Sequence, residues 1–300
     1  MKGLDCTEIL SSELEADGTN GRLDAEYYSK KFIANQAMLR QTKLPLSSLT
    51  AVTSKIDVGH VGPMADEYIE EGVPLLLTQN IGQYRVDYSK CIRVSKAFHA
   101  ALHKSQIFPG DCLIARSGSI GNAALVLDVD PQPLNSADII IVRADANKVT
   151  NGFLAAFLNS SLGALQIERF TSGGVQGHIN LKSIAHLVVP TPSQKFQKAI
   201  NAIVRDGMLQ FHQADRIQAQ AEVALTTSLG LGNWHPPEPL AYTRRASEAF
   251  AAARLDAEYF QPKYHALIAA MKPRSNDYEL VPLQGLTEPL KYGCSEPLEY

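Results

Sequence analysis

Ser193-Gln194-Lys195-Phe196-Gln197-Lys198-Ala199-Ile200 opens a stretch that runs to Leu229 without a proline. Phe196, Ile200, Ile203, Val204, Met208, Phe211, Ile217 and Leu225 recur along it at helical spacing. Ser193 is placed to cap the N-terminus and Gly230 to stop the C-terminus. The spacing therefore predicts one helix of about 36 residues, roughly 54 Å long at ~1.5 Å per residue. Gly207 inside it predicts a bend. A helix of that length cannot bury its apolar stripe against one small domain, so a partner helix of the coiled-coil type is expected.

The segment before this helix reads as a mixed α+β domain. Val73–Thr78, Asp111–Ala115, Ala124–Leu127 and Asp138–Val142 are short apolar runs bounded by Gly, Pro, Asn and Asp, the pattern of strands in a mixed or antiparallel sheet. Gly152–Phe170 carries Phe153, Leu154, Phe157, Leu158, Leu162, Leu165 and Ile167 at helical spacing, and Leu187–Val189 reads as a closing strand. Beyond the long helix, Pro236, Pro237 and Pro239 mark a stiff linker.

The chain also repeats itself. Arg22-Leu23-Asp24-Ala25-Glu26-Tyr27-Tyr28 recurs as Arg254-Leu255-Asp256-Ala257-Glu258-Tyr259-Phe260, an offset of 232 residues. Leu44-Pro45-Leu46-Ser47-Ser48-Leu49-Thr50 recurs in the same order as Val281-Pro282-Leu283-Gln284-Gly285-Leu286-Thr287. A period this long indicates a duplicated module and not a solenoid. Each copy is expected to open with a helix, Ala25 to Arg40 and Ala257 to Met271, its N-terminus favoured by the acids of the motif. The expected organisation is an N-terminal extension at 1–21, an α+β domain at 22–192, the long helix at 193–232, a linker at 233–253 and the opening of a second copy at 254–300.

Composition narrows the function classes. The 300 residues are 45% hydrophobic and 20% charged, ordinary for a globular protein with a normal core. No apolar run approaches the roughly 20 residues needed to span a bilayer, and the N-terminus has no apolar export region, so a cytoplasmic protein is expected. Cys6, Cys91, Cys112 and Cys294 are scattered without metal spacing and read as reduced thiols. A formal charge of −3 argues against non-specific coating of DNA, though a local basic patch remains compatible with it.

Two segments carry a resemblance. Gly110-Asp111-Cys112-Leu113-Ile114-Ala115-Arg116-Ser117-Gly118-Ser119-Ile120-Gly121-Asn122 resembles the central signature of the specificity subunits of type I restriction-modification systems. So does Thr171-Ser172-Gly173-Gly174-Val175-Gln176-Gly177-His178-Ile179-Asn180, followed by Val188-Val189-Pro190-Thr191-Pro192 and a Gln-bearing long helix. The specificity subunits of type IIB systems look similar. The resemblance implies two target recognition domains, each reading half of a split site on double-stranded DNA, joined by antiparallel helices. It implies no catalytic site and no cofactor here. Methylation, with its S-adenosylmethionine, belongs to methyltransferase subunits, and cleavage to restriction/translocase subunits. With only the opening of a second module, the chain is expected to be either a truncated piece or a half-subunit that pairs with a second copy through the long helix.

Direct readout needs Arg, Asn and Gln at base edges, while Lys and Arg hold phosphates. Three polar loops supply them: Gln79, Asn80 and Arg85; Arg116, Ser117, Ser119 and Asn122; and Arg169, Ser172, Gln176, His178, Asn180 and Lys182. Each group also has a structural reading, as a hairpin turn, a cap or a core hydrogen bond. A catalytic reading fits less well. Ser117-Gly118-Ser119-Ile120-Gly121, with Asp138 and His178 following, is a loose nucleophile elbow, but an elbow leads into a helix and Ala124–Leu127 reads as a strand. No phosphate-loop Gly-Lys-Ser/Thr and no His-Glu-x-x-His occurs. The competing class is a non-catalytic scaffold that uses the long helix for oligomerisation.

Overall fold

The computed structural model describes residues 7–10, 22–171, 178–271 and 281–287. The chain divides into two compact units, Met1–Phe211 and His212–Tyr300. The first unit is α+β. Its elements are α1 (Lys30–Gln41), β1 (Leu46–Ser48), β2 (Thr53–Val58), β3 (Tyr68–Leu76), β4 (Ile92–Val94), α2 (Lys96–Ala101), β5 (Gln106–Ile107), β6 (Asp111–Ala115), β7 (Ala123–Leu125), β8 (Leu134–Ser136), β9 (Ile139–Ala144), α3 (Asn151–Asn159), α4 (Ser161–Phe170), α5 (Leu181–Ala185) and β10 (Val188–Pro190). The helix α6 (Gln194–Ser228) follows, then α7 (Ala246–Ala252) and α8 (Pro262–Met271).

Two four-stranded sheets stack, in the orders β2-β9-β6-β7 and β4-β3-β8-β5. All pairs are antiparallel except β3 with β8. The central strands show why the sequence reads as continuous apolar runs there. Side chains alternate across a strand, and both faces of β6 and β9 are covered. Cys112, Ile114, Ile140 and Val142 point into a core shared with Phe153, Leu154, Phe157, Leu158 and Ile167 of α3 and α4. Leu113, Ala115, Ile139 and Ile141 point the other way, into a core with Leu76, Ile107 and Leu134 of the second sheet. The result is a helix–sheet–sheet layering around β6 and β9. A short third sheet pairs β1 with β10, Ser47 opposite Val189, and brings the start of the domain to its end.

Asp111–Ala115 is matched in full and three other strand expectations hold to within two residues, whereas the strand expected from Val73 begins five residues earlier, at Tyr68. Gly152–Phe170 is two helices rather than one, because Ser160 is extended (φ −70°, ψ 160°) and its Oγ accepts from the Gly163 amide to cap α4. The helix predicted from Ala25 begins only at Lys30. Arg22 takes the Asp24 carboxylate at 2.6 Å, and Tyr27, Tyr28 and Ser29 donate to the carbonyls three residues back, making turns instead. Asp24 thus binds the arginine beside it, not a helix terminus. The same holds in the second copy, where α8 starts at Pro262. The expected linker contains a helix, α7, whose Arg245 amide donates to Glu248.

The long helix runs unbroken from Gln194 to Ser228, through Gly207 without a break. Its first turns are clipped to the domain by buried Gln197, which accepts from the Thr150 amide at 3.0 Å and donates to Pro192 O at 2.9 Å. Asn201 accepts from the Gly152 amide at 2.8 Å, so close that a Cβ on Gly152 would collide with it. Further on, Ile217, Val223 and Leu225 are exposed. Among the described residues, no helix is long and apolar enough to cross a membrane.

Candidate nucleic-acid interface

Strands β2, β3, β6 and β8 all end, and β7 and β9 begin, at one edge of the stacked sheets, as their pairings require. The loops at that edge are cross-linked. Arg116 is the hub: its Nη1 donates to Asp138 Oδ1 at 2.7 Å and its Nε to Ile179 O at 2.9 Å. The Ile179 amide donates back to Arg116 O at 3.2 Å. Thr78 Oγ1 donates to Asp138 O at 3.2 Å and Asn122 Nδ2 to Ile81 O at 3.3 Å. The Tyr84 amide donates to Ala123 O at 2.8 Å, lacing the loop after β3 to the start of β7. Segments 78–85, 116–122, 138 and 178–182 are therefore joined by hydrogen bonds at one end of the sheets.

Glycine is required at this edge for its backbone. Gly118 (φ +67°) and Gly121 (φ +91°) both occupy the left-handed region, which costs a Cβ-bearing residue about 1 kcal/mol or more. They let the chain double back, so that the Ala115 amide donates to Asn122 O at 3.0 Å.

The candidate residues separate into two groups. Gln79, Arg85, Ser119, Asn180 and Lys182 are exposed, and Arg116, Ser117, Asn122 and His178 are half-buried at the same edge. Arg85 lies 5.3 Å from the ring of Phe211 in α6. Asn180 also caps α5, accepting from the Ser183 amide at 2.8 Å, which fixes Lys182 in the first turn. Asn80 and Arg169 are corrections. Asn80 is buried, accepts from the Leu77 amide at 2.8 Å and donates to Asp87 O at 3.0 Å, so its amide holds the turn. Arg169 is buried against the N-terminal motif, its Nε on Tyr27 O at 3.0 Å and its Nη1 on Gln36 Oε1 at 3.0 Å. Ser172 and Gln176 lie outside the described residues. Sequence reasoning missed Thr78 and Asp138 as loop-bracing groups. The positive φ of Asp138 (+53°) is the local signal, because Asp tolerates that conformation better than most residues.

The strand β7 follows the glycine loop, so no nucleophile elbow forms, and Asp138 is taken by Arg116. Burial pushes the Cys112 thiol up to about 12 and the Cys91 thiol up to about 11, so neither is a thiolate at neutral pH. Among the described residues, no group of three or more His, Cys, Asp or Glu is placed to hold a metal ion.

Fold and site together define an α+β domain that presents braced polar loops and continues into a long helix. No family model matches the sequence, and no curated protein does. Among solved structures, the chain is similar to one from the assembly and conformational transition of the type I R-M system, at 20% identity over 72% of this chain and 54% of that one, TM-score 0.43. It is similar to the type I restriction-modification S subunit from M. genitalium, at 14% identity over 61% of this chain and 43% of that one, TM-score 0.43. The HsdS subunit from Thermoanaerobacter tengcongensis is a third, at 18% identity over 72% of this chain and 54% of that one, TM-score 0.38. The chain spans about half the length of these solved chains.

Proposed function

We propose that this chain is a sequence-specific DNA recognition subunit of a restriction-modification complex, directing partner methyltransferase and nuclease subunits to a target site. The observation that carries the reading is the meeting of three sequence-separate loops on one sheet edge, held together through Arg116. A rigid polar surface is what base readout requires, since each mobile side chain ordered on binding would weaken it. In this reading Arg116, Asn122, His178 and Gln176 read base edges, while Arg85, Lys182, Gln79, Asn180 and the serines 117, 119 and 172 hold phosphates and register. Methyltransferase subunits, carrying S-adenosylmethionine, and restriction/translocase subunits dock on the helices, and the module works in the cytoplasm.

The test is selection of bound duplexes from a random pool, with and without a co-expressed methyltransferase subunit. Enrichment of a short motif, with preference relaxed at one position by Arg116→Ala or by Gln176→Ala, is the expected result. The scaffold reading draws on the exposed apolar residues of α6. It takes over if no motif is enriched under either condition and binding shows no salt dependence.

A further inference from the structure

The motif duplicated in the sequence is duplicated in geometry. Arg22 meets Asp24 at 2.6 Å and Arg254 meets Asp256 at 2.7 Å. Each arginine lies 4.7 Å from the centroid of the tyrosine that follows, Tyr27 or Tyr259. Tyr27 and Tyr28 pack edge-on at 5.0 Å, and Tyr259 and Phe260 do so at 4.9 Å. One turn later Lys31 sits 4.8 Å over Phe32, and Lys263 sits 5.2 Å over Tyr264. Two segments 232 residues apart thus fold the same local unit.

The copies differ in what covers them. In the first, Tyr27 and Phe32 are 2% and 6% exposed. The helix α4 supplies the cover: Arg169 stacks over Tyr27 and donates to its carbonyl, Phe170 lies 6.0 Å from the same ring, and Glu168 pairs with Lys31. In the second copy Tyr259 is 47%, Tyr264 43% and Ile268 49% exposed. A hollow of about 760 Å³ opens over these three side chains, with Glu248 and Glu258 in its wall.

We infer that this hollow seats a helix of the α4 kind: short, amphipathic and ending in Glu-Arg-Phe. Its arginine stacks on Tyr259 and donates to the Tyr259 carbonyl, close to the two wall carboxylates, and its glutamate pairs with Lys263. The first copy shows each of these contacts already made by the same residue types. Glu-Arg-Phe occurs once in the 300 residues, and that helix is already covered by Tyr27 and Phe32 of its own chain. A second copy would have to give up its own α1–α4 packing to supply it. The occupant is therefore a helix of another domain, from outside these residues. The inference is independent of what the polar loops bind.

The experiment titrates the full chain into a fluorescein-labelled peptide with the sequence of residues 160–171, stapled on its solvent face to hold it helical, and reads anisotropy. Saturable binding is expected, weakened about tenfold by Tyr259→Ala in the chain or by Arg169→Ala in the peptide, the effect of losing one buried cation–π anchor. Tyr259→Ala removes an exposed ring, and circular dichroism checks that the fold is kept. Lys263→Glu should also weaken binding, with Glu168→Lys in the peptide restoring it. The inference is overturned if the folded chain does not bind the peptide, or binds it equally well with Tyr259→Ala. Self-association abolished by Tyr259→Ala, with no peptide binding, would overturn it in favour of a second copy.

Discussion

The guanidinium of Arg169 lies 4.2 Å from the centroid of the Tyr27 ring, and its Nε donates to the carbonyl oxygen of the same residue at 3.0 Å. One side chain thereby fastens the N-terminal motif to the last turn of α4, across 142 residues of sequence. Because it is 8% exposed, its loss removes the donor to a buried carbonyl and opens a gap beside a buried ring.

Arg169→Ala should therefore lower stability by about 2–3 kcal/mol, read as a shift of the urea midpoint. Arg169→Lys should recover little of this, because an ammonium cannot both stack and bridge to Gln36 as the planar guanidinium does. A native midpoint combined with lost DNA binding would return Arg169 to the reading surface.

The Arg143–Asp111 pair gives an asymmetric expectation. Arg143 reaches Asp111 through two bonds of 2.7 and 2.8 Å, and the carboxylate also accepts from the Phe108 amide at 2.9 Å. Asp111 is 1% exposed and the Arg143 side chain 35%. Removing the arginine strands a buried carboxylate, whereas removing the carboxylate leaves a guanidinium that water can reach. Arg143→Ala should cost about 3 kcal/mol and Asp111→Asn about half that. Equal costs would show that the pair is solvated on both sides.

Acid should loosen the second sheet. Burial, with His103 adding like charge, holds the His99 proton affinity below that of a free imidazole. The buried Asn135 amide donates to His99 Nδ1 at 3.2 Å, which requires that nitrogen unprotonated. The unfolded chain thus binds more protons than the folded one below the ordinary imidazole value of about 6.5. Stability should be level above that value and fall as the pH drops through it. In His99→Gln this part of the decline should be missing when urea midpoints at neutral and mildly acid pH are compared. A decline as steep as in the parent would assign the loss to other groups.

Periodicity reveals much of this fold because burial is regular where elements are long. In β6 and β9 every residue from Cys112 to Ala115 and from Ile139 to Val142 is buried, so the apolar runs identify strands. The helix α6 is legible for the opposite reason, its length without proline outweighing a weak stripe. What periodicity misses is set by polar side chains acting locally. Ser160 breaks one helix into two, and Arg22 diverts Asp24 from a helix terminus. At the candidate interface the loops were legible by composition. The separation of exposed Lys182 from buried Asn80 and Arg169 was not, since an Asn or Arg that braces a turn is written with the same letter as one that faces solvent.

Arg116 and Lys182 should fail in different ways as DNA contacts. Lys182 is an exposed ammonium on the first turn of α5, suited to phosphate. Lys182→Ala should weaken binding to all sequences alike and lower the salt slope by about 1. Arg116 is held in one orientation by Asp138 and Ile179, which suits it to a base edge. Arg116→Ala should relax preference at one position of the selected motif by about 1–3 kcal/mol. If the two variants lose affinity uniformly, Arg116 contributes charge and no sequence information.

The length of α6 bears on how two half-sites would be spaced. Its 35 residues extend roughly 52 Å at ~1.5 Å per residue, more than the ~34 Å of one DNA turn. Its first turns are fixed to the α+β domain by Gln197 and Asn201, so extra length cannot be absorbed there. Inserting seven residues near Ala219 adds about two helical turns, or ~10 Å, and nearly preserves the facing of the helix. The half-site sequence recovered by selection should stay the same, while the spacing between half-sites should grow by about three base pairs at ~3.4 Å each. A spacing unchanged by the insertion would mean that α6 does not set the distance, whatever it docks against.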